Sequence, residues 1–363
     1  MLDKISADAF VDAYASYNAN GPKPQGPASP AGGFPGGNSF RAFDVAQGFA
    51  LNWLGVNATY AADPIGGTVG LRFGPSAALY NAGPDNTYGM QYVKQAFATW
   101  KPASKLQLDF GKFDQPFGSE VADSQLNMNY TRSVLFWYIQ PLFFTGLRAT
   151  IPIADQFSIL AFAANGWNNT IDNNRGKTFG AQVMIKPADA LIMYIGYVGG
   201  PEQNDFAPGG AMMAPVVDVP NANDHWRHLV DFVADINPTK ELRFLFNADY
   251  RTEDTVTANH SAVVYGGNLV VRYTFSDAFS AAIRGEWYHD EHGDTLGTGS
   301  KTDIEDGTIT LMYGIGNHLA FMLDGRMDFA QNDVLNNKIF QQNANGATDN
   351  QFTATLGVIA STK

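Results

Sequence analysis

The sequence predicts an all-β fold, a closed antiparallel transmembrane β-barrel of about sixteen strands with long extracellular loops and short periplasmic turns. Three observations predict it. Segments of about eight to fourteen residues alternate apolar and polar side chains, the period of a strand with a different environment on each face. The joins between them run short, long, short, long, which a soluble sandwich has no reason to do and a membrane barrel does. The most apolar runs, Val134 to Phe144 and Ala190 to Gly199, fall short of the ~20 residues a membrane helix needs. Crossing a bilayer therefore requires a closed sheet, which satisfies every backbone group between strands.

The rhythm starts by Phe10. It is clearest where Leu242, Phe244, Phe246, Ala248 and Tyr250 share one face, with Arg243, Asn247, Asp249 and Arg251 on the other. Phe279, Ala281, Ile283 and Trp287 likewise oppose Ser280, Arg284 and Glu286. Leu319, Phe321, Leu323, Met327 and Phe329 oppose Asp324, Arg326 and Asp328, and Phe352, Ala354, Leu356, Val358 and Ala360 oppose Thr353 and Thr355. Short joins carry turn chemistry, as in Lys186-Pro187-Ala188-Asp189, Asn237-Pro238-Thr239 and Gly316-Asn317-His318. Long joins fall near 20-40, 77-87, 114-142, 165-177, 200-224, 253-260, 290-302 and 331-348. Eight long and seven short connections place both ends of the barrel on the short-turn side. No Pro, Ser or Gly linker breaks the pattern, so residues 1-363 read as one domain.

Composition narrows the function. The net charge of -12 disfavours nucleic acid, which asks for a basic stripe. The absence of Cys excludes disulfides and thiolate metal sites. The chain opens Met1-Leu2-Asp3-Lys4 without a leader, so the expectation is a mature form carrying a start Met in the bacterial outer membrane.

Energetics then orient the faces. A Lys or Arg on the lipid side near the bilayer midplane costs about 2–4 kcal/mol, so the arginine face is the lumen. By parity Arg72, Arg148, Arg227, Arg243, Arg251, Arg272, Arg284 and Arg326 point inward and line the pore, with Asp231, Asp235, Asp249, Glu286, Asp324 and Asp328 among them. So many charges in one lumen are expected to be bathed in water, because burying them dry costs more than pairing returns.

The third long join carries motifs. Together with its flanks it reads Gly111-Lys112-Phe113, Gly118-Ser119-Glu120-Val121, Asn129-Tyr130-Thr131-Arg132-Ser133, Pro141 and Thr145-Gly146-Leu147-Arg148-Ala149, preceded by Phe43-Asp44 and Gln95-Ala96-Phe97. This series resembles the beta-barrel porin-2 (OmpL-like) family of Gram-negative outer membranes, over roughly residues 90-150. The chain departs from many such barrels in ending Ala360-Ser361-Thr362-Lys363 rather than on an aromatic residue. The resemblance implies a passive channel for small hydrophilic solutes or ions, in which loop 114-142 folds into the lumen as a pore-constricting loop. Glu120 and Asp123 would then face some of the inward arginines and set a transverse field, with Arg132 a third residue of the constricting loop. In the alternative, the loop caps the mouth and Val134 to Ile139 packs as core or begins the sixth strand.

Smaller signals read plainly. His289-Asp290-Glu291-His292-Gly293-Asp294, with Asp303, Glu305 and Asp306 nearby, reads first as an acidic solvated loop, since its spacing matches no known metal loop, with a divalent cation such as Zn, Ni or Mn as the lesser alternative. Trp226, His228, Tyr88, Trp100, Tyr194, Tyr197, Trp287 and Tyr313 read as an interfacial girdle. No Ser has a His at matching depth on a neighbouring strand, and Gly32-Gly33 and Gly36-Gly37 lack a strand-to-helix setting, so neither catalysis nor a cofactor is expected. The partners expected are outer-membrane lipid and lipopolysaccharide, small hydrophilic solutes and no nucleic acid, with a homotrimer compatible. Two rival functions are a substrate-specific channel for sugars or carboxylates, with Tyr92, Tyr194 and Tyr288 as a track, and a non-conducting surface or adhesion barrel.

Overall fold

The computed structural model describes residues 4–23, 37–81, 89–207, 217–218, 221–254, 260–343 and 346–362. Tyr88 and the glycines at 32, 33 and 36 lie outside them. Sixteen strands close into one antiparallel barrel, each paired with its neighbours in chain order. They are β1 Ile5–Asn18, β2 Gly48–Tyr60, β3 Ile65–Phe73, β4 Val93–Ala103, β5 Leu106–Asp114, β6 Phe143–Ala154, β7 Phe157–Ala164 and β8 Thr178–Ala188. The second half comprises β9 Leu191–Pro201, β10 Trp226–Ile236, β11 Leu242–Glu253, β12 Ala262–Thr274, β13 Phe279–Asp290, β14 Thr302–Ile315, β15 Leu319–Gln331 and β16 Asn350–Ser361. The seam runs between β1 and β16, from Phe10 opposite Ser361 to Asn18 opposite Thr353.

Long and short connections alternate around the ring, and both barrel ends lie at the short-turn rim. The eight long loops are L1 to L8 in order. L2 contains the short helix α1 Pro75–Tyr80 and L3, between β5 and β6, the helix α2 Val134–Tyr138. The run Val134 to Ile139 is therefore a helical turn rather than the start of a strand. Ser133 caps it, its hydroxyl accepting from the Phe136 N–H at 3.1 Å.

Alternation sorts the side chains as a membrane requires. Along β11, Leu245, Asn247, Asp249, Arg251 and Glu253 are buried, while Phe246 and Tyr250 are exposed on the outside. Phe110 is 69% exposed and Ile283 59%, values that make sense only for a surface meeting lipid. Trp100, Tyr197, Trp226, Trp287 and Tyr313 are exposed on this surface too, and Tyr197 bonds His228 Nδ1 at 2.8 Å. Tyr194 does not belong to the girdle. It packs inside with Met128 and Val233, because it shares parity with the buried Val198.

Of the register shifts between paired strands, three lie beside short turns and two lie away from them. Between Asp12 and Ala13 of β1 the register with β2 slips past Asn52, and at Leu71 of β3 the register with β4 slips past Lys94. Each slip turns an extra polar side chain inward.

Candidate functional site in the barrel interior

L3 is a self-supporting knot before it is a barrel component. Arg132 holds its two limbs, Nε donating to the Val121 carbonyl at 2.8 Å and Nη2 to the Ala122 carbonyl at 2.7 Å, with Nη1 on the Tyr130 carbonyl. Asn127 brackets Val121, accepting from its N–H at 2.9 Å and donating to its carbonyl at 2.8 Å. Glu120 accepts from the Ser133 N–H at 3.0 Å. The apolar residues of the loop, Phe117, Val134, Leu135 and Ile139, join Phe113, Phe144, Phe162, Tyr288 and Ile304 of the wall in one buried cluster.

Wall carboxylates hold the knot in place by accepting from its polar groups. Asp12 on β1 takes the Tyr130 hydroxyl at 2.8 Å and the Ser124 hydroxyl at 2.6 Å. Glu286 on β13 takes the Val134 and Leu135 N–H groups at 2.9 and 2.7 Å. Asp324 on β15 takes the Thr131 N–H at 2.8 Å, and Asp231 on β10 the Gly118 N–H at 2.9 Å. The loop thus touches the wall from β1 to β15, and Tyr130 packs against Gly357, where a Cβ would come within 2.1 Å of its ring.

An alternating string of charges runs beside it. Arg41 of L1 pairs with Asp328 at 2.8 Å, Asp328 with Arg326 at 2.6 Å, Arg326 with Asp306 at 3.1 Å, Asp306 with Arg284 at 3.0 Å, and Arg284 with Glu120 at 3.2 Å. The guanidinium groups of Arg41, Arg284 and Arg326 have no solvent exposure. A second cluster joins Arg72 to Asp123 at 2.9 Å and Lys94 to Asp123 at 3.4 Å, with Lys94 also on Asp114.

These contacts revise the expectation of a fully wetted lumen. The charges on the β1, β3 and β13–β15 side are dry, with alternating signs paired and L3 N–H groups donating to Glu120, Glu286 and Asp324. Arg148, Arg227 and Arg243, on the β6–β11 side, stay 17%, 21% and 34% exposed at the side chain. They pair with Asp109 at 2.8 Å, Glu253 at 2.7 Å and Asp235 at 2.8 Å. Arg272 lies opposite Arg243 in the β11–β12 register and is partly buried.

Two cavities mark this side. One of about 210 Å³ lies toward the short-turn rim, between Pro116, Ser119, Tyr194, Asp235, Arg243 and Leu245. The other, about 300 Å³, opens toward the long loops between Tyr80, Trp137, Tyr138, Asn168, Arg251 and Thr295. On β11, Asn247 and Asp249 lie between Leu245 of the first and Arg251 of the second. Gln140 of L3 bonds both, at 2.9 and 2.7 Å. Arg251 donates to the Tyr138 carbonyl at 2.8 Å and to Thr295 Oγ1 at 2.6 Å. Of the aromatic track, Tyr288 is fully buried against Tyr138, Tyr194 lines the inner cavity, and Tyr92 is exposed beside Phe73.

Sequence parity missed several members. Lys94 is inside because it is the bulge residue. Asp306, read as solvated loop, is a fully buried strand residue of β14, and its signal was the series Thr302, Ile304, Asp306, Thr308, Thr310. Arg41 and Asp44 come from L1, where no periodicity speaks.

No protein of curated function matches the chain. Among solved structures, the outer-membrane OmpT of Vibrio cholerae superposes with a TM-score of 0.60 at 10% identity, over 98% of this chain and 97% of its own. An anion-selective porin from Comamonas acidovorans gives 0.61 at 10%, over 98% and 99%. The outer-membrane channel DcaP of Acinetobacter baumannii gives 0.58 at 11%, over 98% and 96%. At these identities the likeness concerns the fold. Residues 4–361 match the family described as "Putative beta-barrel porin-2, OmpL-like", and the chain belongs to that family of outer-membrane barrels.

Proposed function

We propose that the protein is a passive outer-membrane channel for small hydrophilic solutes or ions, narrowed by L3 and conducting along the β6–β11 side of the lumen. One observation carries this reading: L3 lies inside the barrel, and the two cavities on that side are separated by the bonds of Gln140 to Asn247 and Asp249. In this reading Glu120, Asp123 and Arg132 staple and shape the loop, since their charges are already paired or bonded to backbone. Asp249, Arg251 and Arg243 then present charge to the passing solute, whose binding must stay weak enough for exit. The barrel would sit in lipid and lipopolysaccharide. A homotrimer fits a fold for which one OmpT structure is described as a trimer form.

The test is single-channel recording of the detergent-refolded chain in a planar bilayer. Discrete steps are expected, and Gln140→Ala should enlarge them by removing the side chain that bridges L3 to β11. Silence from protein with an intact barrel would replace the channel by a non-conducting surface barrel. Steps unchanged by Gln140→Ala would move the constriction elsewhere.

A further inference from the structure

Two histidines and an aspartate meet where L6 and L7 leave the barrel. His260 lies just before β12, and His292 and Asp294 follow β13. These strands are paired up to Val264 opposite Asp290, and the Glu291 N–H donates to the Val263 carbonyl at 3.0 Å, so the backbones under both histidines are held in register. L7 then doubles back. Asp290 Oδ2 accepts from the Thr295 and Leu296 N–H groups, each at 2.9 Å, and the Thr298 N–H closes on the Gly293 carbonyl at 2.9 Å. Gly293 makes the reversal at φ 70°, where a side chain would strike Ser300 and Thr298.

The doubled loop brings Asp294 Oδ2 to 2.9 Å from His260 Nε2 and sets the His260 and His292 rings 3.9 Å apart. One donor atom from each of the three residues lies within 4.8 Å of the others. His292 Nδ1 is shielded from solvent and has no hydrogen-bond partner among the described residues. A shielded lone pair or N–H without a partner is costly. A metal ion would use the lone pairs of both rings and the carboxylate together.

We propose that His260, His292 and Asp294 form a binding site for a divalent transition-metal ion of the zinc, nickel or copper class at the loop rim. Imidazole with carboxylate selects these ions, whereas calcium and magnesium favour all-oxygen sets. Three protein donors leave further positions to water. The adjacent His289 is not part of the set, because both its nitrogens are engaged, Nδ1 with Asp303 at 2.7 Å and Nε2 with Glu291 at 2.8 Å. The ion would tie L6 to L7 at a point independent of the pore reading.

The experiment is calorimetric titration of the full, refolded, chelator-stripped chain with zinc, against calcium as control. One zinc per chain is expected, with calcium silent. His260→Ala, His292→Ala and Asp294→Asn should each weaken binding by about tenfold or more, while His289→Ala leaves it intact. Heat-modifiable gel mobility reports that each variant is folded, so a lost barrel is not mistaken for a lost site. No saturable zinc binding overturns the proposal, as does binding that these three substitutions leave unchanged or that His289→Ala abolishes.

Discussion

Arg284 shows how one side chain can join a wall to a loop. It spans Asp306 on the next strand and Glu120 on L3, and its Nη1 donates to the Thr131 carbonyl at 2.7 Å. Removing one member of a buried pair leaves an uncompensated charge, at a cost of about 3–5 kcal/mol. Asp306 keeps Arg326, so Arg284→Met should fall at the low end of that range, measured by urea unfolding from vesicles. Arg284→Met with Glu120→Gln should cost less than the sum of the two, because the second change removes the charge the first one strands. Additivity would mean that the two groups do not act together in solution.

At the scale of elements, the loops on the β7–β10 side carry a titrating contact. Glu202 of L5 accepts from the Trp167 N–H of L4 at 2.8 Å and from the Thr178 hydroxyl at 2.6 Å. Burial pushes its carboxyl up to about 7, despite the opposing pull of Arg227. An acid raised in the folded state holds its proton there while the unfolded chain has lost it, so stability falls as pH rises from the ordinary Glu value toward 7. The L4–L5 contact should therefore show higher hydrogen-exchange protection, corrected for the intrinsic rise of exchange with pH, at pH 5 than at pH 7.5, and Glu202→Gln should flatten that difference. The elements themselves were readable in the sequence, because period-two alternation and turn residues are local. Lys94 and Asn52 were not, since a bulge is set by the pairing of two strands. Nor was the string from Arg41 to Glu120, whose members lie on L1, three strands and L3 and meet only once the sheet has closed. Val134 to Tyr138 looked like core or strand for the same reason: its partners, Glu286 among them, are some 150 residues away.

The whole molecule depends on its seam. Ala9 and Thr362 exchange two hydrogen bonds of 2.9 Å, and β1 pairs with β16 along nine residues of register. Deleting 350–362 would leave β1 and β15 each with an unpaired edge, which lipid cannot satisfy. Such a chain should fail to give the heat-modifiable species on a gel, whereas shortening L8 should not prevent it. The seam also sets an order in time. The first strand emerges earliest yet finds its second partner only when residues about 350 positions later have arrived. Until then its edge must be kept from pairing with other chains, so the barrel commits late, in a single closing event, and cells making it need a means of holding the unfinished chain apart.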